Sequence, residues 1–184
     1  MITFYVFFVL PVVAVLSTLI YVPIYIVNRK KHGKRPIIRH LAIYAWIGVV
    51  LSILYVTLFI GGLHFQPDAQ YRFLNLIPFV WVKETYEMGA KKMLQQLVMN
   101  VVMVIPLGFF MPIVFQSLRK WWKTGITIAI FIFCIETIQY FIGRSADIDD
   151  LIMNSIGGLI GYVIALLCNK IFNQKKWWLD AMNR

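Results

Sequence analysis

Five long stretches that are almost free of charge constrain the fold of this chain more than any other feature. They cover residues 1–27, 41–63, 93–118, 124–143 and 151–169, and Glu136 is the only acidic or basic residue inside them. Each stretch is long enough for a transmembrane helix, which needs about 20 apolar residues. Only 14% of the chain is charged, against about a quarter of a soluble domain. We therefore predict an all-α fold, a polytopic membrane bundle of five transmembrane helices.

The basic residues are divided unevenly between the two sides of such a bundle. Five spans place 13 of the 18 Lys and Arg residues on one side, in the loops at 28–40 and 119–123 and in the C-terminal tail. Short cytoplasmic loops carry an excess of Lys and Arg. We therefore predict a multi-pass protein of the cell membrane, with its N-terminus outside and its C-terminus in the cytoplasm. This distribution explains the net charge of +10 without a nucleic-acid partner.

Two segments outside the spans are rich in aromatic residues. The segment at 64–92 is too polar to span the membrane, and Pro78 would interrupt a helix there. Its aromatic residues include Tyr71, Phe73, Phe79, Trp81 and Tyr86. Aromatic rings with polar tips favour the headgroup zone, so we predict an outer interfacial or re-entrant segment, with an ordinary outer loop as the alternative. We expect Trp177 and Trp178 to anchor a short basic inner tail at the interface.

Polar residues gather within and between the last two spans. They are Glu136, Gln139, Arg144, Asp147, Asp149, Asp150 and Asn154. Charge near or inside a bilayer is costly, so such groups are usually paired, water-lined or functional. Measured along their helices, those inside spans share a depth with Asn100 of the third span, in the outer half of the bilayer. We therefore predict one polar crevice that opens to the outer leaflet, with the charged run as its rim.

Small residues mark a packing face on the fifth span. Gly157 and Gly161 form a G-x-x-x-G pattern, with Gly158 beside them. Such spacing lets a neighbouring backbone approach closely, so we expect this face to meet another helix. Cys134 and Cys168 each fall inside a span and lack the spacing of metal ligands, so we predict that both are small core residues.

Several short motifs, taken in this order and spacing, resemble the VanZ-like family, named for a glycopeptide-resistance accessory protein of Gram-positive bacteria. They are Asn75-Leu-Ile-Pro-Phe79, Asn100 followed by Ile105-Pro-Leu-Gly-Phe109, Glu136-x-x-Gln139, and Arg144-x-x-Asp147-x-x-Asp150-x-x-x-Asn154 with Gly157, Gly158 and Gly161. The resemblance divides the chain into three parts. These are an extra N-terminal transmembrane helix with its basic inner loop at 1–40, a VanZ-like membrane domain at 41–170 and the tail at 171–184.

The resemblance implies a small membrane protein that protects the envelope against teicoplanin-type or other lipophilic agents, without implying a molecular mechanism. The residues that it marks as functional are Asn100, Glu136, Gln139, Arg144, Asp147, Asp150 and Asn154, with Asn75 and Pro78 as secondary candidates. The expected partners are membrane lipids and either a lipid-linked cell-wall precursor or a lipophilic glycopeptide. We predict no cofactor and no metal centre.

Other roles for the polar residues stay open. They could form an interhelical hydrogen-bond network that only fixes the packing. A membrane enzyme acting on a lipid-linked substrate could use Glu136 or Asp147 as general acid or base, or could hold a divalent cation with Asp147, Asp149 and Asp150. The chain lacks the common hydrolase motifs, which makes an enzyme the less favoured alternative. A carrier with Glu136 as its proton site is disfavoured by the lack of inverted repeats.

Overall fold

The computed structural model describes residues 9–59, 74–79 and 89–183. Its long helices are α1 (Leu10–His32), α2 (Ile37–Leu58), α3 (Ala90–Val114), α4 (Trp121–Phe141) and α5 (Ile148–Phe172). Two short strands, β1 (Leu74–Asn75) and β2 (Ala146–Asp147), a 3₁₀ turn (Gln116–Leu118) and a short helix α6 (Lys176–Ala181) accompany them. All five long helices are apolar enough to cross a membrane, which confirms the predicted five-helix bundle.

Most of the predicted interfacial segment at 64–92 lies outside the described residues. Tyr71, Phe73, Trp81 and Tyr86 belong to the part that is not described, so the prediction for them stays a prediction. Residues 74–79 are described and contain β1 together with Pro78 and Phe79.

The helices extend past the hydrophobic stretches that predicted them. Helix α4 begins at Trp121 rather than at residue 124, and α5 runs from Ile148 to Phe172 rather than over 151–169. Polar residues at the ends of a span still continue the backbone hydrogen-bond ladder, whereas hydropathy falls as soon as they appear. Pro11 lies in the first turn of α1, where its missing N–H needs no partner.

Helices α3 and α5 form the central and closest pair of the bundle. A Cβ atom added at Gly157 would collide with the carbonyl oxygen of Val101, and one at Gly161 would collide with that of Ile105. These glycines therefore allow the two backbones to touch, as small residues do at other transmembrane contacts. Gly158 instead faces the side chain of Ile128, so α4 packs against the neighbouring stripe of α5.

The C-terminal segment folds back into the protein. Trp178 is 4% exposed, whereas Trp177 is 47% exposed. The Trp178 indole N–H donates to Asn169 Oδ1 at 3.1 Å, and its ring packs in a buried cluster with residues of α2 and α3 such as Ile43 and Ile113. The expectation that Trp178 is an interfacial anchor was therefore wrong, because α6 returns its ring to the protein core.

One arginine holds the start of α2, the end of α3 and helix α6 together. Arg39 lies in the first turn of α2 and is 5% exposed. Its guanidinium donates to the carbonyl oxygens of Ile113 at 2.7 Å, Val114 at 2.5 Å and Ala181 at 2.8 Å. Sequence reasoning assigned Arg39 to a basic loop that sets topology, whereas the structure gives it a buried role between helix ends.

The two cysteines differ in burial. Cys168 is partly buried against the cluster that contains Trp178. Cys134 lies exposed on the outer face of α4, so the prediction of a core residue was wrong for Cys134. That face of α4 is apolar and exposes Phe133 and Ile130, as expected for a surface that contacts lipid.

Candidate functional site

The two short strands bring the N-L-I-P-F segment against the charged run. They pair in parallel, with Leu74 opposite Ala146 and Asn75 opposite Asp147. The Asn75 side-chain amide donates to Asp147 Oδ1 at 3.1 Å, and Asn75 Oδ1 accepts from the backbone N–H of Ile77 at 3.1 Å. Two motifs that lie 72 residues apart in the chain therefore form one structural unit at the start of α5.

Carboxylates organise the backbone of this unit. Asp147 is the N-cap of α5 and accepts from the N–H of Asp149 at 2.8 Å, while Asp149 accepts from the N–H of Phe79 at 2.7 Å. Glu136 Oε2 of α4 accepts from the N–H of Asp147 at 3.3 Å. The first N–H groups of a helix have no partner within it, and Asp147 and Glu136 supply acceptors at the start of α5. Phe79 has a φ of 65°, an uncommon conformation for a non-glycine residue.

A cavity of about 370 Å³ lies beside this unit, between β1, α4 and the start of α5. Its polar lining residues are Asn75, Glu136, Thr137, Tyr140 and Asp147. Asn75, Glu136 and Asp147 contribute carbonyl or carboxyl oxygens that can accept hydrogen bonds. The rest of the wall is largely apolar and includes Phe133 and Phe141. No lysine or arginine lines this cavity in the part of the chain that the structure describes. The cavity therefore pairs an apolar wall with hydrogen-bond acceptors at one end.

Two of the predicted site residues turn away from this cavity. Gln139 Nε2 and Arg144 Nη1 both donate to the carbonyl oxygen of Thr57, at 2.9 and 2.5 Å. Thr57 lies in the last turn of α2, where carbonyl groups lack partners within the helix. Gln139 and Arg144 therefore fasten α4 and the turn after it to α2.

Asn100 and Asn154 lie on the contact between α3 and α5 rather than at the cavity. Asn100 Nδ2 donates to Asp150 Oδ1 at 2.5 Å, which ties α3 to the first turn of α5. Asn154 is 4% exposed, and its Oδ1 atom has no hydrogen-bond partner among the described residues. Pro78 is exposed in the segment after β1 and does not line the cavity. The predicted residues thus divide into the cavity wall, the contacts between helices and, for Pro78, an exposed position outside the cavity.

The three aspartates of the charged run face different partners. Asp147 accepts from Asn75, Asp149 from Phe79 and Asp150 from Asn100. Within residues 9–59, 74–79 and 89–183, no group of three or more His, Cys, Asp or Glu side chains is placed to hold a metal ion. The geometry therefore gives no support to the divalent-cation version of the enzyme alternative.

Sequence reasoning missed the role of Asp149 and most of the cavity wall. Asp149 was named in the charged rim and in the cation alternative, but not for the role it has here, in which it is 4% exposed and holds the Phe79 backbone. The Asp147-x-Asp149 spacing at a helix start is the signal that could have identified it. Phe133, Thr137 and Leu151 line the cavity, but nothing in the sequence distinguishes them from other residues of a membrane span.

The chain is similar to known proteins over its membrane domain. Residues 41–169 match the VanZ/LLP1 family. Protein VanZ of Enterococcus faecium is 31% identical over 106 residues, which cover 57% of this chain and 60% of that protein. The chain thus spans less than two thirds of the length of that relative. No solved structure matches the chain. The family match extends over most of the chain and covers most or all of four of the five candidate membrane-spanning helices among the described residues. This multi-pass membrane protein therefore belongs to the VanZ/LLP1 family.

Proposed function

We propose that this protein protects the cell envelope against teicoplanin-type glycopeptides or other lipophilic agents by binding their lipophilic part in the cavity beside β1. Family membership supports the protective role. The observation that carries the mechanism is the cavity itself, in which an apolar wall meets the acceptor groups of Asn75, Glu136 and Asp147.

The size of the cavity indicates which part of a ligand it takes. Ligand pockets commonly measure about 300–1,000 Å³, so a cavity of about 370 Å³ suits an acyl chain and a few polar atoms rather than a whole glycopeptide. The acyl chain would lie against Phe133 and Phe141, with the attached polar group beside Glu136.

The charge of the cavity wall favours a ligand that donates hydrogen bonds. Its acidic residues are Glu136 and Asp147, and in their carboxylate form such groups accept hydrogen bonds and repel anions. Arg144, the nearby base, donates to the Thr57 carbonyl and does not line the cavity. The amide, amine and hydroxyl groups of a glycopeptide therefore fit better than the phosphates of a lipid-linked cell-wall precursor.

The proposed mechanism requires the cavity to face the outside of the cell. The excess of bases at the opposite end supports this orientation. With Cys134 and Cys168 replaced by alanine, a Ser145→Cys variant would be labelled by a membrane-impermeant maleimide on intact cells. A Gln174→Cys variant at the other end would react only after lysis. The reverse labelling pattern would exclude an outward-facing cavity.

Filling the cavity tests the binding proposal. Thr137→Trp would place an indole in the cavity, whereas Ile130→Trp changes an exposed position of the same helix that does not line it. At matched amounts in the membrane, we expect Thr137→Trp to abolish protection against an acylated glycopeptide and Ile130→Trp to retain it. Neither variant should alter susceptibility to the deacylated compound. Full protection by Thr137→Trp would contradict the proposal.

A further inference from the structure

A second cavity lies at the opposite end of the bundle, where the end of α1 meets the start of α2. It measures about 440 Å³, and its polar lining residues are Tyr21, Tyr25, Arg29, Lys34, Arg35 and His40. No Asp or Glu lines it among the residues that the structure describes. All six residues precede the range that matches the family, so this cavity belongs to the N-terminal addition.

The walls of this cavity are held by contacts between its own side chains. Arg29 Nη1 donates to the Tyr25 hydroxyl at 2.5 Å, and the guanidinium lies 5.8 Å from the centre of the Tyr25 ring. The Tyr21 hydroxyl and His40 Nδ1 are 2.5 Å apart and join α1 to α2. These contacts order side chains that would otherwise move freely at a helix end.

A tight turn after α1 brings bases from the helix and from the turn to the same cavity. Helix α1 ends at Gly33, which has a φ of 71° and donates its N–H to the Arg29 carbonyl at 3.1 Å. The left-handed conformation is easy for glycine and strained for most other residues. The chain reverses there, so that Lys34 and Arg35 line the same cavity as Arg29.

The electrostatics of the cavity favour an anion. Three bases line it with no carboxylate among the described lining residues to neutralise them. Helix α2 begins beside them at Ile37, with no acidic residue in its first turn. The positive end of that helix dipole therefore adds to the field of the bases.

The position of the cavity favours a lipid over a soluble anion. Tyr25 and Tyr21 lie about 6 and 12 Å along α1 from Arg29, at 1.5 Å per residue, and so extend the lining along two membrane-spanning helices. Ile37 of the lining is 78% exposed. We propose that this cavity binds the phosphodiester headgroup of an anionic phospholipid, with the glycerol and upper acyl chains along Tyr25 and Tyr21.

Lipid titration of the delipidated full-length protein, followed by native mass spectrometry, tests this site. The probes are phosphatidylglycerol and a phosphatidylcholine with the same acyl chains. A base near an anionic lipid contributes about fivefold in affinity, so Arg29→Gln with Arg35→Gln should weaken phosphatidylglycerol binding roughly 30-fold. The matched control, Lys170→Gln with Lys175→Gln, removes two exposed bases that do not line the cavity and should bind like the unmodified protein.

Three results would overturn the proposal. They are equal affinity for the two lipids, unchanged phosphatidylglycerol binding in the Arg29→Gln, Arg35→Gln variant, and displacement of the lipid by millimolar inorganic phosphate, which would indicate a soluble anion instead. If the double variant fails to fold, Tyr25→Phe serves in its place. It removes only the hydroxyl that holds Arg29, and it should weaken binding by less than the double variant while leaving the melting temperature unchanged. Unaltered binding by Tyr25→Phe would then contradict the site.

Discussion

The two ends of this bundle satisfy their helix termini with different sets of side chains. At the end that holds the first cavity, Asp147 and Asp149 accept hydrogen bonds from backbone N–H groups at the start of α5 and at Phe79. At the other end, Arg39 and Arg119 donate to backbone carbonyls of α3 and of the C-terminal segment. Helices begin with unpaired N–H groups and end with unpaired carbonyls. The carboxylates therefore pair with N–H groups, whereas the arginines pair with carbonyls, as Arg144 also does at the Asp147 end.

The Arg39 contacts and the Asp147 contacts differ in whether a cavity lies directly beside them. Arg39 is buried and engages carbonyls from two elements, and α6 closes the space around it. The carboxylates of Glu136 and Asp147 also bind backbone, but they line a cavity as well. A bilayer offers no water to helix ends, so both ends need such contacts. The Arg39 contacts therefore serve stability, whereas the proposed protective function depends on the cavity beside Asp147.

Removing Arg39 should have the largest effect on the fold. Arg39→Met would leave the carbonyls of Ile113, Val114 and Ala181 without their donor, and each unpaired buried group costs about 1–3 kcal/mol. We expect unfolding in mixed detergent micelles to show a loss of more than about 3 kcal/mol. Arg39→Lys should recover part of this loss, because an ammonium group lacks the planar fork of arginine. If Arg39→Met is as stable as the exposed control Lys170→Met, the Arg39 contacts do not stabilise the fold and the claim is wrong.

Removing Asp149 should destabilise only the segment at residues 74–79, at the Asp147 end of the bundle. Asp149→Ala deprives the Phe79 N–H of its acceptor, at a cost of about 1–3 kcal/mol. Because Phe79 lies in a short surface segment, we expect faster hydrogen exchange over residues 74–79 and a smaller loss of global stability than for Arg39→Met. Ser145→Ala, at an exposed position of the neighbouring turn, should leave exchange unchanged. If Asp149→Ala unfolds the whole protein, the Asp147 end contributes as much to global stability as the Arg39 end.

The pair of Asn100 and Asp150 should contribute the least. It joins α3 to α5, and interhelical hydrogen bonds in membranes contribute about 0.6–2 kcal/mol. A double-mutant cycle with Asn100→Ala and Asp150→Ala should give a coupling free energy in that range. A coupling free energy indistinguishable from zero would show that this pair does not stabilise the protein. A coupling larger than the loss caused by Arg39→Met would show that the Asp150 end contributes more to stability than the Arg39 end.

The spans were predictable because the physical requirement behind them is local. An uncharged stretch of about 20 residues has few alternatives to a membrane helix, and Gly157 and Gly161 show in the sequence that one of these helices admits a close neighbour. The ends of the helices were less predictable, since Trp121 and Asp149 are polar or interfacial and still helical.

The candidate site was predictable only in part, because helical phase and tertiary packing decide which polar residue faces what. The shared depth of the polar residues predicted one crevice below the charged run, and Glu136 does lie within hydrogen-bond distance of the Asp147 N–H. It also suggested that Gln139 belongs to the same crevice, whereas rotation of α4 turns Gln139 towards Thr57. Arg39 looked like one of several loop bases, since nothing in its neighbourhood shows that α6 will fold over it.

The claim that the cavity beside Glu136 is responsible for protection is tested most directly by measuring protection in a Glu136→Gln variant. A glutamine at this position keeps an oxygen that can accept from the Asp147 N–H, so the fold should persist, but the cavity loses a carboxylate. With Cys134→Ala on the exposed face of the same helix as the matched control, cells should show equal amounts of both variants in the membrane. We predict that Glu136→Gln cells lose protection against an acylated glycopeptide while Cys134→Ala cells keep it. Full protection by Glu136→Gln would contradict the assignment of function to this end.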